Sequence, residues 1–140
     1  MELCVGKRND EDIHGVHVLR SKDKGETWQV STLAWDPMGA HEYNETDILE
    51  LPDGRLLALM RHSGPGADRY IYKSYSKDGG VSWSDPEPTP IWGFPFRAIV
   101  LKSGNILGTY AHRRTPFGIR GCLSRDGGRT WDIDNEIIIR

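Results

Sequence analysis

The sequence predicts an all-β fold made of consecutive antiparallel sheets that are arranged as the blades of a propeller. Two repeats carry this prediction: a turn motif occurs three times, and a strand–turn–strand unit occurs twice between its copies. The composition agrees, because 16 glycines, 8 prolines and 5 tryptophans in 140 residues suit short strands, tight turns and large packed anchors. No segment of useful length has the period of a helix.

The turn motif reads S-x-D-x-G-x-[ST]-W and occupies residues 21–28, 76–83 and 124–131, so that successive copies are 55 and 48 residues apart. Four-stranded propeller blades repeat at roughly 40–50 residues. In each copy the Ser and Asp side chains can bond to the turn backbone, the Gly allows a positive φ, and the Trp can fold back as a hydrophobic plug. We therefore interpret the motif aspartates as staples of a turn, and not as general acids. A calcium loop is excluded, because its twelfth-position Glu and its spaced acidic ligands are missing.

The second repeat aligns residues 48–57 with residues 98–107. Each copy has two apolar runs around an Asp-Gly or Ser-Gly turn, which is the pattern of a β-hairpin. Each unit of the chain therefore reads as strand, glycine turn, strand, gap, strand and turn motif, with a further strand expected after the Trp. The predicted strands are roughly 15–21, 46–51, 55–61, 69–76, 97–102, 105–111, 118–124 and 136–139.

Bulk properties exclude several classes of protein. A net charge of −2 with 27% charged residues is a globular composition without the basic excess of a nucleic-acid-binding protein. No apolar run approaches the ~18 residues of a membrane span, and no signal peptide is visible, although a secreted or periplasmic full-length form stays open. Cys4 and Cys122 form no CxxC pattern, so neither a metal nor a cofactor is indicated; a disulfide and two free thiols both stay open.

With these repeats in place, the sequence resembles the sialidase (neuraminidase) superfamily, and especially bacterial exo-α-sialidase-like proteins with BNR, or Asp-box, repeats. Residues 44–57 and 116–120 carry the closer resemblance, which extends over nearly the whole chain. It implies a sialidase-type β-propeller of six blades, of which three Asp boxes represent about three. We therefore expect residues 1–140 to form a partial propeller, as a fragment or as one part of an assembly. Its open blade edges invite pairing with other strands.

The resemblance also implies a catalytic set: three arginines that hold the substrate carboxylate, an Asp acid/base, and a Tyr nucleophile activated by a Glu. Arginine suits this clamp because its planar fork meets a carboxylate at two points. The Glu matches Glu45, and one arginine matches Arg61. Aligning the two hairpins places Arg61 on position 111, and a continuing strand puts position 113 on the same face, so Arg113 is favoured as another.

Three more residues are weaker candidates for substrate binding. Asp47 and Arg97 occupy equivalent positions in the two hairpins and either face the cleft or pair with each other, and Arg114 is the alternative to Arg113. The first-blade arginine motif and the acid/base Asp have no match, and the Tyr is expected beyond Arg140. His41 begins only a superficial zinc motif, because the second His is missing. The remaining histidine pair, at 62 and 112, is accounted for by the repeat without any chemistry.

Two functions follow from this reading. The first is a glycoside hydrolase that, in the intact protein, removes terminal sialic acid or a related acidic sugar from glycans, with this chain alone inactive. The second is a non-catalytic Asp-box propeller that binds glycans or proteins. Whether the protein is an enzyme stays open at this point, because a fold hosts many functions. In either case the expected partner is a glycan or an acidic sugar.

Overall fold

The structure is a computed structural model that describes residues 2–6, 14–36, 38, 40–64 and 68–139. The described residues form eleven strands and no helix. These strands are β1 (Glu2–Gly6), β2 (His14–Ser21), β3 (Gln29–Asp36), β4 (Glu42–Glu50), β5 (Leu56–Ser63), β6 (Tyr70–Ser76), β7 (Glu87–Trp92), β8 (Phe96–Val100), β9 (Ile106–His112), β10 (Gly118–Ser124) and β11 (Ile137–Ile138). Within these ranges there is accordingly no helix long and apolar enough to cross a membrane.

The strands pair antiparallel in chain order and form three sheets: β1–β2–β3, β4–β5–β6–β7 and β8–β9–β10–β11. The predicted all-β architecture of antiparallel propeller blades is confirmed. Each strand that the sequence predicted is present, with shifted ends. The strand expected after the Trp is β3 in the first blade, β7 in the second and β11 in the third. β1 had not been predicted.

The three Asp boxes lie between β2 and β3, β6 and β7, and β10 and β11, and they share one conformation. In each box two consecutive residues have positive φ, at 24–25, 79–80 and 127–128. In the second box the hydroxyl of Ser76 donates to Asp78 (2.8 Å) and accepts from the amide of Gly80 (2.8 Å), while Asp78 accepts from the amide of Ser82 (2.9 Å). The first and third boxes repeat all three bonds.

Two apolar cores lie between neighbouring sheets. One joins the second sheet to the third and contains Leu57, Phe96 and Trp131; the other joins the first sheet to the second. Trp131 is 7% exposed, whereas Trp28 of the first box is 40% exposed and donates its ring N–H to the carbonyl of Gly25 (3.0 Å). The predicted Trp plug is least buried in the first box, whereas the tryptophans of the second and third boxes pack into the cores that those boxes share with the preceding blade.

Side chains of the preceding blade hold the second and third boxes in place. Arg20 donates to the carbonyl of Gly79 (3.2 Å), and at the equivalent position the Tyr75 hydroxyl donates to the carbonyl of Gly127 (3.0 Å). The adjacent Gly128 is buried, and a Cβ there would lie 2.4 Å from Leu57 Cδ2. Each box thus closes its own turn and also seals the groove between two blades.

Candidate functional site

The β4–β5 hairpin has two ends with different chemistry. Its turn, residues 51–55, lies beside the Asp boxes, because Leu56 pairs with both Glu50 and Ser76. We call this the box end. At the opposite end of the same strands lie Glu45 and residues 61–64, together with Phe94 and Arg113, and we call this the cleft end.

Glu45 is aimed at the cleft end by a β-bulge. The pairing of β4 with β5 shifts between Asn44 and Asp47, and Glu45 adopts φ +43°, which is uncommon for a residue with a side chain. Its carboxylate forms a salt bridge of 2.8 Å with Arg61, which stands opposite Asn44 on β5. The antiparallel hairpin therefore brings together the predicted Glu and the first predicted arginine.

Arg61 and Arg113 share the ring of Phe94. The guanidinium carbon of Arg61 lies 4.0 Å from the ring centroid and that of Arg113 lies 5.1 Å from it, so the two carbons are at most about 9.1 Å apart, the sum of these distances. Such contacts attract a cation to the face of an aromatic ring. Arg113 follows β9, which ends at His112. The structure thus brings the three main candidates into one small region.

Gly93 allows Phe94 to reach this position. The Phe94 amide donates to the carbonyl of Ala111 on β9 (3.1 Å), and a Cβ on Gly93 would lie 2.7 Å from that carbonyl oxygen and 2.6 Å from the Tyr110 ring. Only glycine therefore lets the β7–β8 connection lie directly on β9. This close approach sets the ring between two blades.

Arg114 turns to the neighbouring ring. Its guanidinium carbon lies 4.5 Å from the Trp92 centroid, and its Nε donates to His112 Nε2 (3.2 Å). Because the Trp92 and Phe94 centroids are 6.3 Å apart, Arg114 lies beside the Arg61–Arg113 region and not within it. The two aromatic rings thus hold three arginines at the cleft end.

Asp47 and Arg97 pair with each other across two blades. Their side chains lie 3.3 Å apart, and Asp47 also accepts a hydrogen bond from the amide of Ala98 (2.8 Å). Asp47 is 18% exposed, while Arg97 is 73% exposed. Their geometry fits the second alternative from the sequence, in which the two residues pair, and it joins β4 to β8.

A small cleft of about 120 Å³ opens at this end, and it is lined by Arg61, His62, Ser63, Gly64, Arg69 and Phe94. Arg61 Nε is buried there without a hydrogen-bond partner in the described structure. Two guanidinium groups in its lining make the cleft attractive to an anion. Among the described residues, no group of three His, Cys, Asp or Glu side chains could hold a metal ion.

A tyrosine–glutamate pair also occurs elsewhere, in the third blade. The Tyr110 hydroxyl donates to Glu136, whose other oxygen lies 2.5 Å from Arg120. Burial and the bond to Glu136 raise the pKa of Tyr110 well above its ordinary value. This pair fastens β9 to the segment just before β11, and the Tyr110 side chain is packed in the core, where a ligand has no access to it.

Sequence reasoning missed the parts of this site that depend on contacts between blades. Phe94 was not among the predicted site residues, and its position between two arginines depends on Gly93, a signal that could have been read from the run Trp92-Gly93-Phe94. Arg69, at φ +64° on the cleft wall, carried no sequence signal. The bulge at Glu45 was also missed, because Glu45 and Thr46 continue a run that looks like regular strand.

The chain was compared with known proteins. A family model described as a BNR repeat-like domain matches residues 2–137. Among solved structures, a crystal structure of a protein of unknown function from Dyadobacter fermentans matches with a TM-score of 0.75 and 31% identity, and it covers 90% of this chain. The match spans 34% of that protein's length, so this chain corresponds to about a third of it. A comparison with curated proteins gave no match.

Proposed function

Because the chain belongs to the BNR repeat-like domain family, we propose that it forms the acidic-sugar-binding part of a sialidase-like glycoside hydrolase. The proposed substrate is a glycan that ends in sialic acid or a related acidic sugar. The observation that carries the proposal is the pair Arg61 and Arg113 on the Phe94 ring, next to Glu45 and away from the Asp boxes.

Two arginines in this arrangement suit the carboxylate of a sugar. Each guanidinium can donate two parallel hydrogen bonds to a carboxylate, and Phe94 holds both groups without neutralising either. Arg61 donates to Glu45 through Nη1, and its side chain is 29% exposed, so other N–H groups of its guanidinium can bond to an additional acceptor. A sugar carboxylate at the cleft would supply that acceptor.

Glu45 has a second role in this proposal. The family resemblance assigns it the task of taking the proton from a Tyr nucleophile, and that Tyr would come from another blade. A neutral tyrosine nucleophile suits an anionic sugar, which a carboxylate nucleophile would repel. The 140-residue chain alone is therefore expected to bind the sugar with little turnover.

Titration of the 140-residue chain with N-acetylneuraminic acid, followed by calorimetry, tests the binding step. We expect Arg61→Gln and Arg113→Gln each to weaken binding about tenfold or more, since a hydrogen bond to a charged group contributes roughly 1.5–3 kcal/mol. Arg129→Gln, an exposed arginine at the box end, is the matched control and should bind like the wild type. Equal binding of the neutral methyl ester, or an effect only from Arg129→Gln, would refute the carboxylate site.

The salt bridge between Glu45 and Arg61 favours a second candidate, a propeller that binds glycans without hydrolysing them. In the structure, the Glu45 carboxylate, which would take the proton of the Tyr nucleophile, is bound to Arg61. A fluorogenic aryl sialoside separates the candidates when it is assayed with the intact protein, which hydrolyses it only under the first candidate. The same assay on the 140-residue chain tests where the catalytic set lies. Robust hydrolysis by this chain would show that the catalytic set has been misplaced, whereas binding without turnover fits both candidates.

A further inference from the structure

Beside the cleft, three side chains form a continuous hydrogen-bonded chain. Asp68 Oδ1 lies 2.8 Å from His62 Nδ1, and His62 Nε2 lies 2.8 Å from His41 Nδ1. The backbone amide of His41 also donates to Asp36 (2.7 Å), which fixes the start of this segment. His62 is buried at 1% exposure, whereas His41 is exposed. The chain therefore runs from a carboxylate through a buried imidazole to an imidazole in contact with solvent.

The surroundings hold the buried imidazole in one orientation. The His62 ring stacks on His41 (centroids 4.9 Å apart) and on Tyr43 (5.5 Å), and Tyr72 packs against it at 4.5 Å. The Tyr72 hydroxyl in turn donates to the second oxygen of Asp68 (3.0 Å). His62 consequently has little freedom to rotate away from either of its two partners.

The direction of each hydrogen bond follows from the carboxylate. Burial raises the pKa of Asp68, but bonds from His62, the Tyr70 amide and Tyr72 outweigh it and hold that pKa below its usual range, so Asp68 is an ionised acceptor. His62 must then donate from Nδ1, and in its neutral form it accepts at Nε2. His41 donates from Nδ1 to complete the chain. Its Nε2 is left as the proton-accepting nitrogen.

This nitrogen belongs to a ring that packs against His62, one of the residues that line the cleft. His62 and Gly64 both line the cleft, and His41 stacks directly on His62. Residues on either side of His41 touch Gly64 as well: a Cβ on Gly64 would lie 3.2 Å from the Ala40 carbonyl oxygen and 3.2 Å from Glu42 Cγ. Arg61, the main candidate for holding a carboxylate, precedes His62 on β5 and lines the same cleft.

We propose that His41 is a general acid–base residue for an acidic sugar bound in this cleft, with His62 and Asp68 as the positioning residues that fix its tautomer. This proposal rests on the proposed function. As an imidazolium, His41 gives its Nε2 proton to the leaving glycosidic oxygen. The bond from the sugar carbon to that oxygen breaks as the Tyr oxygen bonds to the carbon and the Tyr proton passes to Glu45. As a neutral imidazole, His41 then takes a proton from the water whose oxygen bonds to the sugar carbon, while the bond to the Tyr oxygen breaks and that oxygen takes the proton back from Glu45.

A hydrogen bond from the far side of an imidazole also makes its free nitrogen more basic. For histidines that bind metals, loss of such a partner typically costs about 10–100-fold in affinity or activity, and this sets the scale of effect expected here. The same chain of contacts would exist if its only task were to tie Asp68 to the start of β4. The two roles differ in the reactivity of His41 Nε2, and this quantity can be measured in the 140-residue chain.

The first measurement is the rate at which diethyl pyrocarbonate modifies His41, read by peptide mass spectrometry over a pH series. The series isolates the neutral imidazole from the titratable groups around it, which are the directly bonded His62 and, further away, Asp36, Glu42, Tyr43, Asp68 and Tyr72. Asp68→Asn should lower the rate constant of neutral His41 about tenfold. Asp134→Asn, a change at an exposed site distant in the chain, should leave it unchanged. An unchanged rate in folded Asp68→Asn protein would overturn the proposal.

The second measurement is the tautomer of His41, read from the ¹⁵N chemical shifts of its ring nitrogens. Nδ1–H is expected in the wild type, and a mixture of tautomers in Asp68→Asn. A wild-type Nε2–H tautomer would remove the proton-accepting nitrogen and contradict the proposal, even if Asp68→Asn proved too unstable to study.

Protection by N-acetylneuraminic acid separates this proposal from the proposed function. Saturating sugar should slow the modification of His41 at least tenfold, and Arg61→Gln should abolish this protection. If the sugar binds in an Arg61-dependent way but leaves His41 fully reactive, the acid–base role fails and the proposed function stands. If no sugar binds while the reactivity still depends on Asp68, the proposed function fails, and with it the sugar as the substrate of His41.

Discussion

The two ends of the same strands are built on opposite principles. At the box end, the motif Ser and Asp side chains of every Asp box bond within their own turn, and backbone carbonyls of the second and third boxes accept from the preceding blade, although the ring N–H groups of Trp83 and Trp131 are buried without a partner. At the cleft end, arginine side chains rest on aromatic rings, one guanidinium nitrogen is buried without a partner, and Glu45 has a positive φ. The charged groups of the boxes are thus bonded locally and stabilise their turns, whereas the arginines of the cleft end keep donors that can bind a ligand.

The electrostatics of the two ends differ in the same way. Bonds from Thr27 and Ser21 lower the pKa of Asp23 to about 2, and bonds from Ser82 and Ser76 lower the pKa of Asp78 further. Such carboxylates are ionised near neutral pH, where they have no proton to give as general acids. The proton-transferring groups of the molecule must therefore be sought at the cleft end.

The largest expected effect is on the box end, at its contact with the next blade. Gly128→Ala introduces a Cβ 2.4 Å from Leu57, a fully buried core residue, at φ +84°. Gly54→Ala is the matched control, because it has φ +81° with nothing within 4 Å of the added Cβ. The control should lose about 1–2 kcal/mol from backbone strain alone. Gly128→Ala should lose about 1–3 kcal/mol more from overpacking.

Urea unfolding of both variants measures the difference. Equal losses of unfolding free energy would mean that the third box does not pack tightly against Leu57. The Asp boxes would then close only their own turns and would not seal the grooves between blades.

The second expected effect isolates the internal bonds of a box. Ser76→Ala removes a buried hydroxyl that bonds to Asp78 and accepts from the amide of Gly80, so it should destabilise the chain by about 1–3 kcal/mol. Ser103→Ala, at an exposed hairpin turn, should stay within about 0.5 kcal/mol of the wild type. Calorimetry with N-acetylneuraminic acid should give unchanged affinity for both folded variants. Lost binding in folded Ser76→Ala protein would contradict the separation of the two ends.

This contrast also explains how far the sequence could be read. The boxes and glycine turns were predictable because each is fixed by residues within eight positions of one another, such as Ser76, Asp78 and Gly80. The proximity of Glu45 and Arg61 followed from hairpin geometry. The Asp68–His62–His41 chain could not be predicted, because the repeat makes His62 equivalent to His112, and yet His112 bonds to the Pro116 carbonyl and to Arg114. Repeats fix backbone positions, whereas partners depend on loops that differ between blades.

The bounds of the outer strands escaped prediction for a related reason. β1 and β7 contain no turn motif of their own, and β7 includes two prolines, Pro88 and Pro90, which argue against a central strand. β7 is the edge strand of its sheet, where a missing backbone donor is tolerated. Its position is therefore set by the box before it and by packing between blades.

The smallest expected effect on stability is at the cleft end, where Glu45 competes with any anion for Arg61. Glu45→Gln keeps an oxygen that can accept from Arg61 but removes the charge, so the unfolding free energy should change by less than about 1 kcal/mol, as for other exposed ion pairs. The affinity for N-acetylneuraminic acid should rise several-fold, because the carboxylate of the sugar no longer displaces a like charge.

Glu87→Gln, which removes an exposed carboxylate 4.0 Å from Lys73, is the control and should change neither quantity. Calorimetry at two salt concentrations should show the gain shrinking as salt rises, since screening weakens the competition. A fall in affinity with Glu45→Gln would mean that Glu45 contacts the sugar directly, and the cleft end would then hold its ligand with both partners of the salt bridge.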